Sequence, residues 1–405
     1  MMQDLFAEQL KALRARSLDR HLSEISSSQG PEIEIAGRRF INFSSNDYLG
    51  LANHSRLREA AIAGINEFGV GVGASRLISG TQSPHVRLER ALAKWKGTGA
   101  ALCFSSGYAA ALGTIPALVT KNDVVLLDKL CHASLIDGAK LSGAILRVFP
   151  NNNMRKLENL LEWARREHLS RHSVAKADPD RHVLIITESV FSMDGDRAPL
   201  RDLIELKKRF GALLMLDEAH AVGVIGANGR GLAAEENVSG EVDVQMGTLS
   251  KALGTSGGYI CGSRNLIEWL INRARSFIYS TASPPAIAVA AHAAVNFLES
   301  LEGEERRLLL WERINLLREL LSVNAVNKER SDAGSAIFPW IVGDEQAALD
   351  LASALKSEGF LVPAIRYPSV AKGSARLRIT VTAAHDENQI RALCQMIKQL
   401  GPNDK

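Results

Sequence analysis

Only four cysteines occur in 405 residues, Cys103, Cys131, Cys261 and Cys394, and none forms a C-x-x-C pair. Such spacing suggests neither a disulfide framework nor a zinc site, so no metal is expected and the thiols read as small buried residues or bystanders. Charge of one sign is equally scarce. The formal net charge is +3, with bases scattered among acids, which leaves no electrostatic footprint for nucleic acid or an anionic membrane. Long hydrophobic runs are missing too. The longest nearly apolar stretch, 284–298, is interrupted by His292 and Asn296 and falls short of the ~20 residues that a membrane span needs. Residues 1–20 set Leu5, Phe6, Leu10, Leu13 and Leu18 among acids and bases, the pattern of an amphipathic helix rather than a signal peptide. A cytoplasmic protein is expected. There is no G-x-x-x-x-G-K-[ST] loop, so the helicase-like box Asp217-Glu218-Ala219-His220 does not support an ATPase. Internal repeats and low-complexity tracts are also absent.

What the chain does have is apolar material, 46% of its residues, enough for a large core with a smaller unit beside it. Near-continuous hydrophobic runs at 100–104, 123–128, 182–187 and 212–217 have the composition of strands buried on both faces of a largely parallel sheet. Helical patterns at 154–168 and 200–210 lie between them, and that alternation predicts an α/β layered domain. The segment Tyr279-Ser280-Thr281-Ala282-Ser283-Pro284-Pro285 reads as a hinge before a long helix at 286–299. Beyond it, a run at 335–342, a helix at 345–358 and a strand at 376–382 suggest a smaller α+β domain. The expected division is an N-terminal arm and helix (1–50), a large domain (51–285) and a small C-terminal domain (286–405).

In open α/β sheets the ligand sits at the carboxyl ends of the strands. Here those ends are polar: Ser105-Ser106-Gly107, Asp128 with His132 beyond, Glu188 with Ser192 beyond, and Asp217 with His220. Lys251 follows a short strand-like run, Val242, Val244 and Met246, and leads into the small-residue stretch Thr255-Ser256-Gly257-Gly258. An amine held by rigid backbone suits imine chemistry. Taken singly, Lys251 also fits a surface lysine and Asp217 a helix cap. Together they supply what pyridoxal 5′-phosphate needs, an amine for its aldehyde and a carboxylate to keep its pyridine nitrogen protonated.

The phosphate of that cofactor needs donors. Phe104-Ser105-Ser106-Gly107-Tyr108-Ala109 reads as strand, tight turn and helix start, with Gly107 and Tyr108 as candidate amide donors and a serine-capped ordinary turn as the alternative. His132 could stack on the pyridine ring, His220 could reach its phenolic oxygen, and Thr248 could donate to the phosphate. A rival motif is Gly254-Thr255-Ser256-Gly257-Gly258, which matches the G-x-S-x-G elbow of serine acyl hydrolases, with His385 downstream. It leaves Lys251 and the polar strand ends unexplained. Gly69-Val70-Gly71-Val72-Gly73 follows a helical pattern instead of a strand, which argues for a flexible active-site loop over a dinucleotide fingerprint.

Several strings carry a resemblance across nearly the whole chain. Asn42-Phe43-Ser44-Ser45-Asn46-Asp47-Tyr48-Leu49-Gly50-Leu51, Gly73-Ala74-Ser75-Arg76-Leu77-Ile78-Ser79-Gly80-Thr81 and Thr187-Glu188-Ser189-Val190-Phe191-Ser192-Met193-Asp194-Gly195-Asp196 occur in order before the Asp217 and Lys251 segments. With them the sequence resembles the α-oxoamine synthases, fold-type I pyridoxal-phosphate enzymes that join an amino acid to an acyl thioester. The resemblance implies Lys251 as the cofactor-bearing lysine, Asp217 under the pyridine nitrogen, His132 on the ring and His220 near the phenolic oxygen. It further implies Gly107, Tyr108 and Thr248 at the phosphate, with Ser280 contributed by the other subunit of a homodimer, and Ser192 against the cofactor. Arg378 matches the arginine that grips the amino acid's carboxylate, and Arg20, Asn46 and Ser369 match positions of substrate contact. Within the family, the strings Val362-Pro363-Ala364-Ile365-Arg366-Tyr367-Pro368-Ser369-Val370 and 375–385 resemble the biotin-pathway members that take L-alanine and a pimeloyl thioester, on CoA or acyl carrier protein. A glycine-using acetyltransferase is the nearest alternative.

Overall fold

The apolar runs assemble into one sheet because each is apolar on both faces and can be satisfied only between two layers of helix. The computed structural model describes residues 2–16, 18–169, 181–322 and 334–401; Met1, Ser17, 170–180, 323–333 and 402–405, which fall within the expected arm and domains, lie outside the described residues. The sheet has seven strands, in spatial order Ala100–Phe104, Gly258–Gly262, Val244–Thr248, Leu213–Asp217, Val183–Glu188, Val124–Asp128 and Ile145–Phe149. All pairings are parallel except those of Gly258–Gly262, which runs against both its neighbours. This is the mostly parallel α/β sheet expected of a fold-type I enzyme. Four strands begin within a residue of the expected positions, and the fifth, Val244–Thr248, is displaced two residues towards Lys251 from the Val242 run.

Two apolar clusters cover the two faces. One joins Val125, Leu127, Leu184, Ile186 and Met215 to the helices Gly107–Leu118, Ala133–Leu141 and Arg264–Arg273; the other joins Leu126, Ile185, Leu214 and Leu216 to helices that include Ser83–Lys96, Leu200–Phe210 and Pro285–Leu298. Burying a Leu or Ile side chain contributes about 1.5–3 kcal/mol, so these strand residues dominate the stability of the sheet. The helix Leu200–Phe210 stops at Gly211, which takes φ 66° in the left-handed region that glycine tolerates.

The C-terminal residues form a second layer. Ile337–Gly343 pairs antiparallel with Ala375–Thr380, which also pairs with Ala364–Ile365. The helices Glu345–Ser357 and Glu387–Leu400 begin at Asp344 and Asp386, whose side chains cap them. The N-terminal strands Glu32–Ile35 and Arg38–Asn42 join this region, since Phe360–Leu361 pairs with Arg38–Asn42. The helix Pro285–Leu298 packs against Ser55–Phe68, where a Cβ on Gly64 would lie 2.8 Å from Ala286. Among the described residues no helix is long and apolar enough to cross a membrane.

Candidate active site

Parallel pairing puts Glu188 and Asp217 opposite one another at adjacent strand ends. Both carboxylates are buried. Burial pushes Asp217 up and Glu188 well above the usual carboxylate range, while the charge of Lys251 pulls both down. The next strand, Val244–Thr248, carries the chain to Lys251. Burial lowers the lysine amine to about 8, although Asp217 and Glu188 act to raise it. Its Nζ lies 2.7 Å from His220 Nε2. Asp217 Oδ1 accepts the amide of Ala219 at 2.9 Å, which fixes the turn that delivers His220. Behind that turn Glu218 is locked by Lys96 and by the amide of Ala233, a buried ion pair that leaves no slack beneath Asp217.

A second group gathers where strand 100–104 ends. Ser106 caps the helix Gly107–Leu118 by accepting from the amide of Ala109 at 3.0 Å. The amides of Gly107 and Tyr108 remain at the helix tip, where helical geometry provides no partner. Thr248 lies beside them, its Oγ1 3.8 Å from a Cβ built on Gly107. Close approach here depends on Gly258, since a Cβ there would stand 2.5 Å from the carbonyl oxygen of Ser106 and 2.6 Å from Gly107 Cα. Thr248 Oγ1 is also 2.7 Å from Ser250 Oγ, which adds a second hydroxyl.

His132 caps the helix Ala133–Leu141, accepting from the Ser134 amide at 3.2 Å, and its side chain is exposed. Its own amide donates to Glu188 Oε1. The desolvated side of the ring lowers its pKa, with Asp217 acting to raise it and Lys251 to lower it. On the opposite side Arg378 comes from the C-terminal sheet. Its Nε donates to the carbonyl of Ser192 at 2.6 Å and its Nη2 to Asn46 Oδ1 at 3.1 Å. Arg376, two residues earlier, pairs with Asp194 and ties the same loop to the C-terminal sheet.

Thus Lys251, Asp217, His220, His132, Ser192, Asn46 and Arg378 share one region, and Gly107 and Thr248 adjoin each other. The other candidates lie apart. The Tyr108 side chain is 43% exposed and its hydroxyl donates to Asp137. Ser280 lines a cavity with Arg76, Ser105, Leu249, Ser256 and Thr281. The glycine loop reaches this neighbourhood, because Ser75 bridges to Thr281. Ser369 is exposed and donates its amide to Arg366, and Arg20 is exposed. His385 stacks on Phe43 at 4.3 Å and is held by Thr382, so its ring is already engaged. Three contributors received no role from the sequence: Glu188, visible only as a polar strand end, Ser250, and Tyr48, which lies inside a quoted string. Among the described residues no group of three or more His, Cys, Asp or Glu could hold a metal.

These residues fit pyridoxal 5′-phosphate: a buried amine facing buried acid, an exposed imidazole beside them, and a helix tip cradled by Thr248 and Gly258. A family model described as aminotransferase class I and II matches residues 38–397. Fold and site together define a pyridoxal-phosphate enzyme of fold type I. A curated protein named 8-amino-7-oxononanoate synthase, from Geobacter sulfurreducens, is 45% identical over 399 residues, covering 98% of this chain and 98% of its own. A solved serine palmitoyltransferase variant from S. paucimobilis, with a bound PLP–myriocin aldimine, is 30% identical with a TM-score of 0.87, covering 98% of this chain and 96% of that one. A crystal structure of 8-amino-7-oxononanoate synthase from Francisella tularensis is 29% identical with a TM-score of 0.73, covering 89% of this chain and 97% of that one. The chain belongs to the aminotransferase class I and II family and, within it, to the 8-amino-7-oxononanoate synthases.

Proposed function

We propose that this chain condenses L-alanine with a pimeloyl thioester, on CoA or acyl carrier protein, giving 8-amino-7-oxononanoate, CO2 and the free thiol carrier. The observation that carries the proposal is the meeting of Lys251, Asp217 and His220 at the strand ends, with Arg378 brought to the same region through Asn46. When bound, pyridoxal 5′-phosphate supplies an aromatic ring that accepts the electron pair left at the amino acid's α-carbon. Lys251 would tether the cofactor and, once displaced by alanine, take the α-proton, a task suited to an amine lowered to about 8. Asp217 would keep the pyridine nitrogen protonated, His132 would cover the ring, and His220 and Ser192 would contact its edge. The amides of Gly107 and Tyr108 and the Thr248 hydroxyl would hold the phosphate at the helix tip.

Arg378 would orient the alanine carboxylate with its planar fork, with Asn46, Ser369 and Arg20 contacting substrate. A homodimer, with Ser280 reaching across from the second copy, is supported by the exposed apolar side chains of Ile62, Ile65, Val70, Leu77, Ile78 and Tyr279. A cytoplasmic location is supported by four free thiols. The deciding experiment gives the purified holoenzyme alanine or glycine with pimeloyl-CoA or acetyl-CoA. Alanine with a pimeloyl thioester should be the best pair; preference for glycine with acetyl-CoA would overturn the substrate assignment, and no turnover of any pair, nor of alanine with pimeloyl-acyl carrier protein, would overturn the reaction.

A further inference from the structure

Tyr48 stands at the middle of a polar chain that runs from Lys251 to Arg378. Its ring is completely buried. Its hydroxyl lies 2.6 Å from His220 Nδ1 and 3.2 Å from Asn46 Oδ1, to which it donates. Arg378 Nη2 donates to the same Asn46 oxygen at 3.1 Å, and the far nitrogen of His220 is 2.7 Å from Lys251 Nζ.

A phenol has one proton and a neutral imidazole has one N–H, so these contacts permit only two settings. If the phenol donates to Asn46, it accepts from His220 Nδ1–H, and Nε2 faces Lys251 as a bare acceptor. If it turns to donate to Nδ1, the imidazole proton sits on Nε2 and faces Lys251 as a donor. The first setting is favoured by Lys251, whose charged amine is a donor 2.7 Å from Nε2 and needs an acceptor there. Asn46 Oδ1 decides between them, and Arg378 shares that oxygen.

We propose that Tyr48 is a positioning residue whose hydroxyl selects the nitrogen of His220 that carries the proton, and that this choice is linked through Asn46 to Arg378. The role in turnover rests on the reaction proposed above; the choice of tautomer does not. Two conditions keep the selection two-valued. Burial pushes the phenol up to about 12, so it keeps its proton. Burial also holds His220 well below its ordinary pKa, assisted by the positive groups facing it, Lys251, Arg378 and His132. Lys251 itself faces Asp217 and Glu188 as well.

The test uses Tyr48→Phe, which keeps the ring and removes the proton. Histidine nitrogen NMR of the cofactor-free chain, with His220 assigned by its loss in His220→Asn, should show Nδ1 protonated in the parent and Nε2 protonated in Tyr48→Phe. In the holoenzyme, Tyr48→Phe should move the pH midpoint of the cofactor's visible absorbance and lower kcat ~10-fold or more, with a smaller change in the alanine KM. Adding Tyr48→Phe to His220→Asn should lower kcat no further. A parent with Nε2 protonated overturns the proposal even if the variant fails to fold. So does an unchanged tautomer with an unchanged absorbance midpoint in Tyr48→Phe, or a double variant whose losses multiply. The NMR and absorbance measurements need no acyl substrate, so they stand apart from any failure of the substrate assignment.

Discussion

Lys251 owes its suppressed proton affinity to burial, and its remaining affinity to two carboxylates, which makes Asp217→Asn an informative perturbation. An ordinary lysine at pH 7 is neutral in about 3 of 10,000 molecules, whereas one at about 8 is neutral in about 1 of 10, a gain of ~300-fold. Asp217 is the larger of the two charges that raise the amine, so neutralising it lowers the amine further. Charges about 6 Å apart at an effective dielectric of ~20 interact by ~3 kcal/mol, or about 2 pH units. Burial raises Asp217, which tempers its charge and makes ~2 pH units the upper bound of the displacement. The Lys251 midpoint should accordingly fall below about 8, by no more than ~2 pH units. The assay is the pH dependence of acylation of Lys251 by a small active ester in cofactor-free enzyme, followed by peptide mass spectrometry. A midpoint that stays in place or rises in Asp217→Asn would refute the electrostatic account of this site.

Other outcomes follow from the same geometry. Arg378→Ala removes a charge-assisted fork worth ~3 kcal/mol or more, so the alanine KM should rise ~100-fold or more with kcat less affected; steady-state kinetics check it. Gly258→Ala drives a Cβ to within 2.6 Å of Gly107 Cα, and equilibrium dialysis should show weakened cofactor binding with the fold retained. Burial lowers His385 to about 4 from 6.5, so the folded state binds fewer protons than the unfolded chain between those values. The stability this group allows is intact above pH 6.5 and is lost as pH falls towards 4, by ~3 kcal/mol in all. Asp128, raised to about 6, acts in the opposite direction below that pH. Urea midpoints of His385→Gln, taken at pH near neutrality and near 4.5, should fall less on acidification than those of the parent.

The strands that position the cofactor were legible because a strand covered on both faces must stay apolar until it reaches its end. Glu188 and Asp217 therefore announced themselves as the first polar residues after such runs. Gly258–Gly262 was hidden, since the glycines at its two ends fit a turn equally well and its antiparallel course breaks the βα alternation. Ile145–Phe149, an edge strand with Arg147 in its middle, lacks the continuous apolar signature. The contact between Tyr48 and His220 spans 172 residues, and no local pattern encodes such a distance. Local spacing also says nothing of where Arg20 and Ser369 point, and both are exposed.

The place of strand Gly258–Gly262 has a consequence for synthesis. Among the described residues, Ala100–Phe104 joins the sheet only through that later strand, so it has no sheet partner until the chain has been made as far as Gly258. A phosphate site built on Gly107 and Thr248 would thereby be completed only once the nascent polypeptide has emerged past Gly262. Products truncated earlier, even with Asp217 and Lys251 present, would lack the backbone that closes on Ser106 and Gly107 and should be protease-sensitive.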